Sequence, residues 1–339
     1  MTGPSPRDYG RGVVDIEQIN PRNEAALRAW WQVGRDATAE RPGKPWPLWE
    51  QSRVALPAPN PERAVTLLGA IDGREMVGAG MAILPTRENR HLAGAAVYVD
   101  VAHRRQGIGS ALLAEAEVVA AGHGRTTMTG EAYLPPDGTV PAEAFAAAHA
   151  YDVASRESIK ELAMDDYREV RETLTLDPAG YRFVTFDTVC PDEHAESFGR
   201  LLGTLLAEIP LGDLDIADSE WPVDRLRDAE QRQVDIGRHV LTALAIAPDG
   251  GVAGVSDVRV DDSDHQHAQV GITLVDRAHR GRRLGLALKL ASHDLALASY
   301  PTLVTVDTAN AEANTHMNAV NETLGYRTIE RLLELQKRL

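Results

Sequence analysis

Two runs in this 339-residue chain carry the same arrangement of residues suited to holding an anion. Val99-Asp100-Val101-Ala102-His103-Arg104-Arg105-Gln106-Gly107-Ile108-Gly109-Ser110-Ala111-Leu112 is echoed by Val275-Asp276-Arg277-Ala278-His279-Arg280-Gly281-Arg282-Arg283-Leu284-Gly285-Leu286-Ala287-Leu288. Each reads as a β-branched strand end, a short basic turn with glycine, and an apolar helix start. A strand that ends in such a turn leaves the first amides of the next helix unpaired and aimed at one spot, where a diphosphate can bind. Gly107 and Gly109 allow close backbone approach, and Arg104, Arg105 and Gln106 add charge or donors at the rim. The spacing is neither a Walker loop, which needs G-x-x-x-x-G-K-[ST], nor a dinucleotide fingerprint, which needs a third glycine and a later acidic residue. Its repetition at matching places implies that one phosphate-cradling unit is used twice.

The elements that must position these turns also come in two sets. Val13 to Ile16 and Tyr181 to Phe186 read as opening strands, each running into a Pro-containing turn at Pro21 or Pro191. Helical stretches around Glu24 to Val33 and His194 to Glu208 follow, then loops rich in Pro, Asp and Trp at Arg41 to Pro61 and Pro210 to Asp224. Hairpins are expected at Ala64 to Leu84 and His239 to Val260, turning at Asp72-Gly73 and Asp249-Gly250-Gly251. Strands Leu92 to Val101 and His267 to Val275 lead into the two turns. Helices Gly109 to Ala121 and Gly285 to Ala298 leave them, and strands near Thr126 to Glu131 and Leu303 to Thr308 come next. Each half closes with a helix and a strand, ending at Leu162 and Leu335. The polar stretch Asp165 to Gly180 reads as a linker. The expected class is α/β of the α+β kind, two tandem domains at 1–168 and 169–339, each a mixed, mostly antiparallel sheet flanked by helices.

Composition agrees with two cores of ordinary size. No segment approaches the ~20 apolar residues of a membrane span, and the Pro/Gly-rich Met1 to Gly12 has no apolar run, so a cytoplasmic protein with no membrane partner is expected. The single cysteine, Cys190, excludes an internal disulfide framework and reads as a small buried residue near a strand end. A net charge of -15 argues against nucleic acid and favours a cationic small molecule. No metal-ligand spacing is present, Asp264-His265-Gln266-His267 being too short and lacking a third partner. Trp30, Trp31, Trp46, Trp49 and Trp221 read first as core or lid packing, and Asp213, Asp215, Asp218 and Glu220 as a solvated loop.

The turns resemble the signature of the GNAT superfamily of acyl-CoA-dependent N-acyltransferases, [RQ]-x-x-G-x-[GA] directly after the fourth strand. Arg104 to Gly109 matches it in full. Arg280 to Gly285 is the aligned copy, with Arg283 where the first glycine is usual. Asn310 to Tyr326 is similar to the family's late segment, N-x(11)-LG[FY], and its first-half counterpart, Val140 to Tyr151, is degenerate. The resemblance implies that acetyl-CoA, the cosubstrate, is held by Val99, Val101, Arg104, Gln106, Gly107, Ile108, Gly109 and Ser110 in the first half. In the second half it implies Leu274, Val275, Arg280, Arg282, Arg283, Leu284, Gly285, Leu286 and, on the pantetheine arm, Asn314. The thioester would lie between the fourth and fifth strands of the second half, its oxyanion on a backbone N–H near Leu274 or Val275, while an amine attacks directly.

The proton-handling residues depart from the family pattern. The usual tyrosine acid falls at Asn321, with Ala146 in the first half, and the usual fourth-strand carboxylate falls at Gln269. His267 and His265 are then the candidate bases, since imidazole titrates near neutrality and alternation would put both on one sheet face. Asp257, Asp264 and bulk water are the alternatives, while His103 and His279 read as packing residues of the turns. The expectation is an N-acetyltransferase acting on a small primary amine, with its active site in the second half and its two domains packed as a pseudo-dimer within a monomer. A non-catalytic acyl-CoA-binding sensor or scaffold is the competing expectation.

Overall fold

A computed structural model describes residues 14–42, 46–138, 141–175, 178, 180–205, 212–217 and 219–339. Val13 of the first opening strand, part of the Pro210 to Asp224 loop and Asp218 lie outside the described residues. The chain divides into two compact units, one of residues 1–131, 146–152 and 336–339, the other of 132–145 and 153–335. These units do not follow the single boundary after residue 168 that the repeat suggests.

The first unit is built on β1 (Asp15–Ile19), β2 (Arg63–Asp72), β3 (Glu75–Pro85), β4 (Leu92–Val99) and β5 (Thr127–Leu134), in that spatial order. The first three pairings are antiparallel and β4–β5 is parallel. One face is covered by α1 (Glu24–Ala37), whose Leu27, Trp30, Trp31 and Val33 pack with Leu67 and Ala79. Trp30 donates its indole N–H to the Gly80 carbonyl at 3.0 Å, as a buried indole must find an acceptor. The other face is covered by α3 (Ile108–Gly122), which comes close because β3 carries Gly78 and Gly80; a Cβ on Gly78 would meet Ile108 and Leu112 at 2.9 Å. The Arg41 to Pro61 stretch contains a short helix, α2 (Trp49–Ala55), and its tryptophans pack as expected, Trp46 edge-on against Tyr98 at 4.8 Å. The closing helix α4 (Pro141–Ala148) precedes the buried Tyr151.

The second unit repeats the plan with β7 (Arg182–Asp187), β8 (Arg238–Ile246), β9 (Val252–Asp261), β10 (Asp264–Val275) and β11 (Thr305–Ala311). Beyond β11 comes β6 (Asp152–Ala163), supplied by the end of the first sequence half and paired with β11 from Ala163↔Thr305 to Glu157↔Ala311. The last strand, β12 (Arg327–Arg338), neighbours β6, while residues 336–339 group with the first unit, where Lys337 reaches Glu117 at 2.7 Å. The helices are α5 (Met164–Thr173), α6 (Asp192–Gly203), α7 (Val223–Asp235), α8 (Leu284–Ser299) and α9 (Thr315–Leu324).

Side-chain alternation divides this sheet into two faces. Leu241, Val258, Val260, Ala268, Val270 and Val306 pack with Leu286, Leu290 and Ala296 of α8. Leu244, Ile246, Val255 and Leu274 pack with Phe198 and Leu201 of α6 and Leu226 of α7 on the opposite face. The expected linker is corrected here, because most of it is α5, whose Met164 and Tyr167 are fully buried. Tyr167 donates to Asp294 of α8 at 2.7 Å, and Arg171 holds the same carboxylate at 2.9 Å. A ten-residue helix with only two core-facing side chains shows little apolar periodicity, so polarity masked it. Cys190 is buried beside Glu230, and burial pushes its thiol up to about 12, so it is inert packing.

Candidate functional site

Both phosphate turns have the same backbone. Asp100 and Asp276 accept from the amides of Ala102 and Ala278 at 2.9 and 2.8 Å, closing one turn of 3-10 helix. Arg104 and Arg280 donate back to the carbonyls of Val99 and Val275 at 3.2 and 3.1 Å, locking each turn to its strand end. Gln106 and Arg282 bond the carbonyls of Ala102 and Ala278. The left-handed region is entered twice in each turn, at Arg105 and Gly107 (φ 64° and 86°) and at Gly281 and Arg283 (φ 79° and 59°). Glycine thus occupies one of two left-handed positions in each copy, and the irregular second motif keeps the geometry of the first. Neither α3 nor α8 has a side-chain N-cap, so no side chain of its own occupies the first amides. Ile108, Gly109 and Ser110 open α3, and Leu284, Gly285 and Leu286 open α8, with Ser110 bonded to His149 at 2.9 Å. A cavity of about 400 Å³ lies against this turn, lined by Gln106, Gly107, Ser110, Glu117 and His149. His103 bonds Asp100 and His279 bonds Tyr181, both at 2.8 Å, so they pack the turns as expected.

Upstream of each turn, two parallel strands part after three residue pairs. In the first unit these are Leu92↔Thr127, Ala93↔Met128 and Gly94↔Thr129; in the second, His267↔Thr305, Ala268↔Val306 and Gln269↔Asp307. The partings differ in one respect. β4 runs against β3 in continuous register from Gly94 to Val99, whereas β10 slips against β9 between Val270 and Thr273, a bulge holding Gly271 and Ile272. The bulge is held from β9 by Asp257, whose carboxylate accepts from the Gly271 amide at 2.9 Å and from Arg259 at 3.2 Å. Only glycine fits, since a Cβ at 271 would sit 2.2 Å from both the Asp257 and the Arg259 side chains. Beyond Gln269 the outer edge of β10, which includes Leu274 and Val275, has left β11 and leads directly into the basic turn.

The sequence model of the acetyltransferase (GNAT) family matches residues 27–147. No curated protein matches the chain in sequence. Among solved structures, a tandem GNAT protein from the clavulanic acid biosynthesis pathway superposes with a TM-score of 0.82 at 27% identity, covering 96% of this chain and 98% of that one. A GCN5-related N-acetyltransferase from Sphaerobacter thermophilus follows, with TM-score 0.67, 15% identity and coverage of 96% and 95%. A putative acetyltransferase from Pyrococcus horikoshii has TM-score 0.58 at 14% identity, over 99% and 93%. Residues 27–147 match the GNAT family, and the chain as a whole has the fold of a tandem GNAT protein. Acyl-CoA-dependent acetyl transfer is the general chemistry of that family, and the parted strands and uncapped turns are the features that fit it. Among the described residues no group of three or more His, Cys, Asp or Glu is placed to hold a metal, and no helix is long and apolar enough to cross a membrane.

The remaining site candidates fall in different places. His267 opens the parting strands but is half-exposed and paired with Asp264 at 2.8 Å. His265 packs against Tyr300, the rings tilted by 49° with centroids 4.9 Å apart. The two were expected on one face by alternation; β10 instead shifts register between Asp264 and Ala268, so simple alternation does not carry across them. Asn321 is fully buried on α9, its amide nitrogen donating to Asn310 while its carbonyl oxygen has no hydrogen-bond partner among the described residues. Asn314 is the N-cap of α9, accepting from the Met317 amide at 3.2 Å. Asp257 is buried, and desolvation pushes its carboxyl up against the opposing pull of Arg259 and the bulge amides.

Two ionisable groups here escaped the sequence reading. Asp307 is the register partner of Gln269, and burial, with Glu161 adding repulsion, raises its carboxyl to about 7. Lys289 of α8 is 1% exposed with no hydrogen-bond partner among the described residues, and burial depresses its amine to about 7. The only sequence signal for either was a charge at an otherwise apolar position of a strand or helix.

Proposed function

We propose that this chain transfers an acetyl group from acetyl-CoA to the primary amine of a small molecule by direct attack in the second unit. The observation that carries this reading is the bulged β10, which turns away from β11 after Gln269 and runs straight into the Arg280 to Leu286 turn. That arrangement supports a thioester lying between the strands with its diphosphate on the α8 amides and on Arg280, Arg282 and Arg283. The freed edge of β10 near Leu274 and Val275 supplies backbone N–H groups for an oxyanion, an effect worth about 3 kcal/mol in comparable sites. Asn314, the N-cap of α9, is assigned to the pantetheine arm by its place in the late segment, and the net charge favours a cationic acceptor. The first unit binds acyl-CoA through Val99, Val101, Arg104 and Gln106 to Ser110 without the bulge that frees a strand edge.

The test is release of free CoA thiol from acetyl-CoA by the full chain, with a panel of small primary amines that includes putrescine, tryptamine, glucosamine and lysine, and mass spectrometry of the products. Thiol release that depends on an amine, with an acetylated amine as product, supports the reading. Acetyl-CoA binding with no release above buffer for any amine would instead identify an acyl-CoA-binding sensor.

A further inference from the structure

Acetyl transfer to an amine that is protonated in solution requires a group to accept that proton, and the position usual for it holds Gln269. Gln269 cannot act as a base, but its partner across the parallel pairing is Asp307, the last paired residue before β10 and β11 part. Alternation from Val306, which packs against α8, puts Asp307 on the opposite face with Gln269, Asp257 and Arg259. Asp307 is half-buried there, and its Oδ1 is enclosed without a hydrogen-bond partner among the described residues. The other candidates are engaged: Asp257 holds the bulge amide and Arg259, and His267 is tied to Asp264. We propose that Asp307 is the general base of the second unit, doing from the fifth strand what the family's carboxylate does from the fourth.

The groups facing it argue for the same role. Glu161 of β6 is its antiparallel register partner, a like-charge pair directly opposite that a sheet normally avoids. Glu330 of β12 adds repulsion, and His267 of β10 opposes it. Burial first, and this balance of charges second, lift Asp307 to about 7, where a carboxylate is both ionised in part and basic enough to take a proton at neutral pH. The inference rests on the acyl-transfer reading above. The acceptor ammonium gives one proton to the Asp307 carboxylate. The freed nitrogen lone pair then forms the C–N bond at the thioester carbonyl, the C–S bond breaks, and the second nitrogen proton goes to the departing sulfur. The products are the amide and CoA thiol.

The experiment measures kcat/KM against pH for the full chain, with acetyl-CoA and the best amine of the panel, in wild type, Asp307→Asn, Glu161→Gln and His267→Gln. Wild type should rise with pH through a midpoint near 7. Asp307→Asn should lose on the order of 10²- to 10⁴-fold and the limb with it, while acetyl-CoA binding by calorimetry is unchanged. The deficit should shrink for a weakly basic acceptor such as aniline, already neutral in solution, a rescue that a purely structural defect would not show. Glu161→Gln should move the limb to lower pH with the plateau kept. Retention of the limb in Asp307→Asn, or its loss in His267→Gln alone, would overturn the assignment. No turnover of any amine by wild type would defeat the acyl-transfer reading itself, and this inference with it.

Discussion

The first phosphate turn has the complete family motif and the second an irregular one, yet their backbones enter the left-handed region at the same two places with glycine and arginine exchanged between them. The parted strands show the reverse: the regular motif follows a β4 in continuous register, and the irregular motif follows the bulged β10. Motif regularity and site geometry therefore vary independently in this chain. A glycine pattern reports how the turn is achieved, whereas the bulge, its Asp257 clamp and the Gln269–Asp307 pair report what lies beside the strand edge.

The largest effect that would break this comparison is loss of a binding site. If both turns hold diphosphate, calorimetry with acetyl-CoA should give two sites per chain, and Gly109→Glu or Gly285→Glu should each remove one by placing a side chain and a negative charge at the helix start. Gly109→Glu should leave most turnover in place, and Asn314→Ala should lower it more. A single site, removed by Gly109→Glu together with all turnover, would locate the chemistry in the first unit.

Next in size is Lys289, at the position in α8 that Leu113 fills in α3. Its folded value of about 7 lies below the ~10.4 of an unfolded lysine. Between these values the unfolded chain binds more protons, so stability rises with pH there, and below 7 the full penalty applies. Lys289→Met should stabilise the chain at pH 7 by on the order of 1–4 kcal/mol, with the gain fading toward pH 10, read from denaturant midpoints at the two pH values. An equal gain at both would show that packing, not charge, separates the units here.

Gly271→Ala tests the bulge of β10, whose counterpart β4 stays in continuous register with β3. Crowding Asp257 and Arg259 should cost about 1–3 kcal/mol in thermal or denaturant unfolding and lower turnover, with acetyl-CoA stoichiometry unchanged. The smallest effect is expected from Arg283→Gly, which converts the second turn to the family pattern. Relief of the left-handed strain, about 1–2 kcal/mol, is nearly offset by the larger backbone entropy that glycine loses on folding. Stability should change by less than about 1 kcal/mol, while acetyl-CoA affinity reports whether the guanidinium at 283 meets the diphosphate.

How much of this was legible before folding depends on the range of the interaction involved. Hairpins at Asp72-Gly73 and Asp249-Gly250, the helices after each turn and the packing roles of Trp30, His103 and Cys190 were readable, since glycine turns, period-two strands and apolar helix faces are local signals. The helices Trp49–Ala55, Met164–Thr173 and Val223–Asp235 were missed because each is short or strongly polar and is stabilised by packing rather than by its own pattern. The shared face expected for His265 and His267 failed for a tertiary reason, the register shift imposed by pairing with β9.

By itself the sequence determined the repeated order of elements, the two basic glycine turns and the departures at Gln269 and Asn321, all of which reside in residues close together in the chain. Only the tertiary structure decided that Asp307 stands beside Gln269, that Glu161 arrives opposite it on a strand from the other half of the sequence, and that Lys289 is sealed in a core. Register across a parallel pair and the choice of partner for a closing strand are set by the whole sheet competing for its hydrogen bonds, and no window of sequence contains that competition.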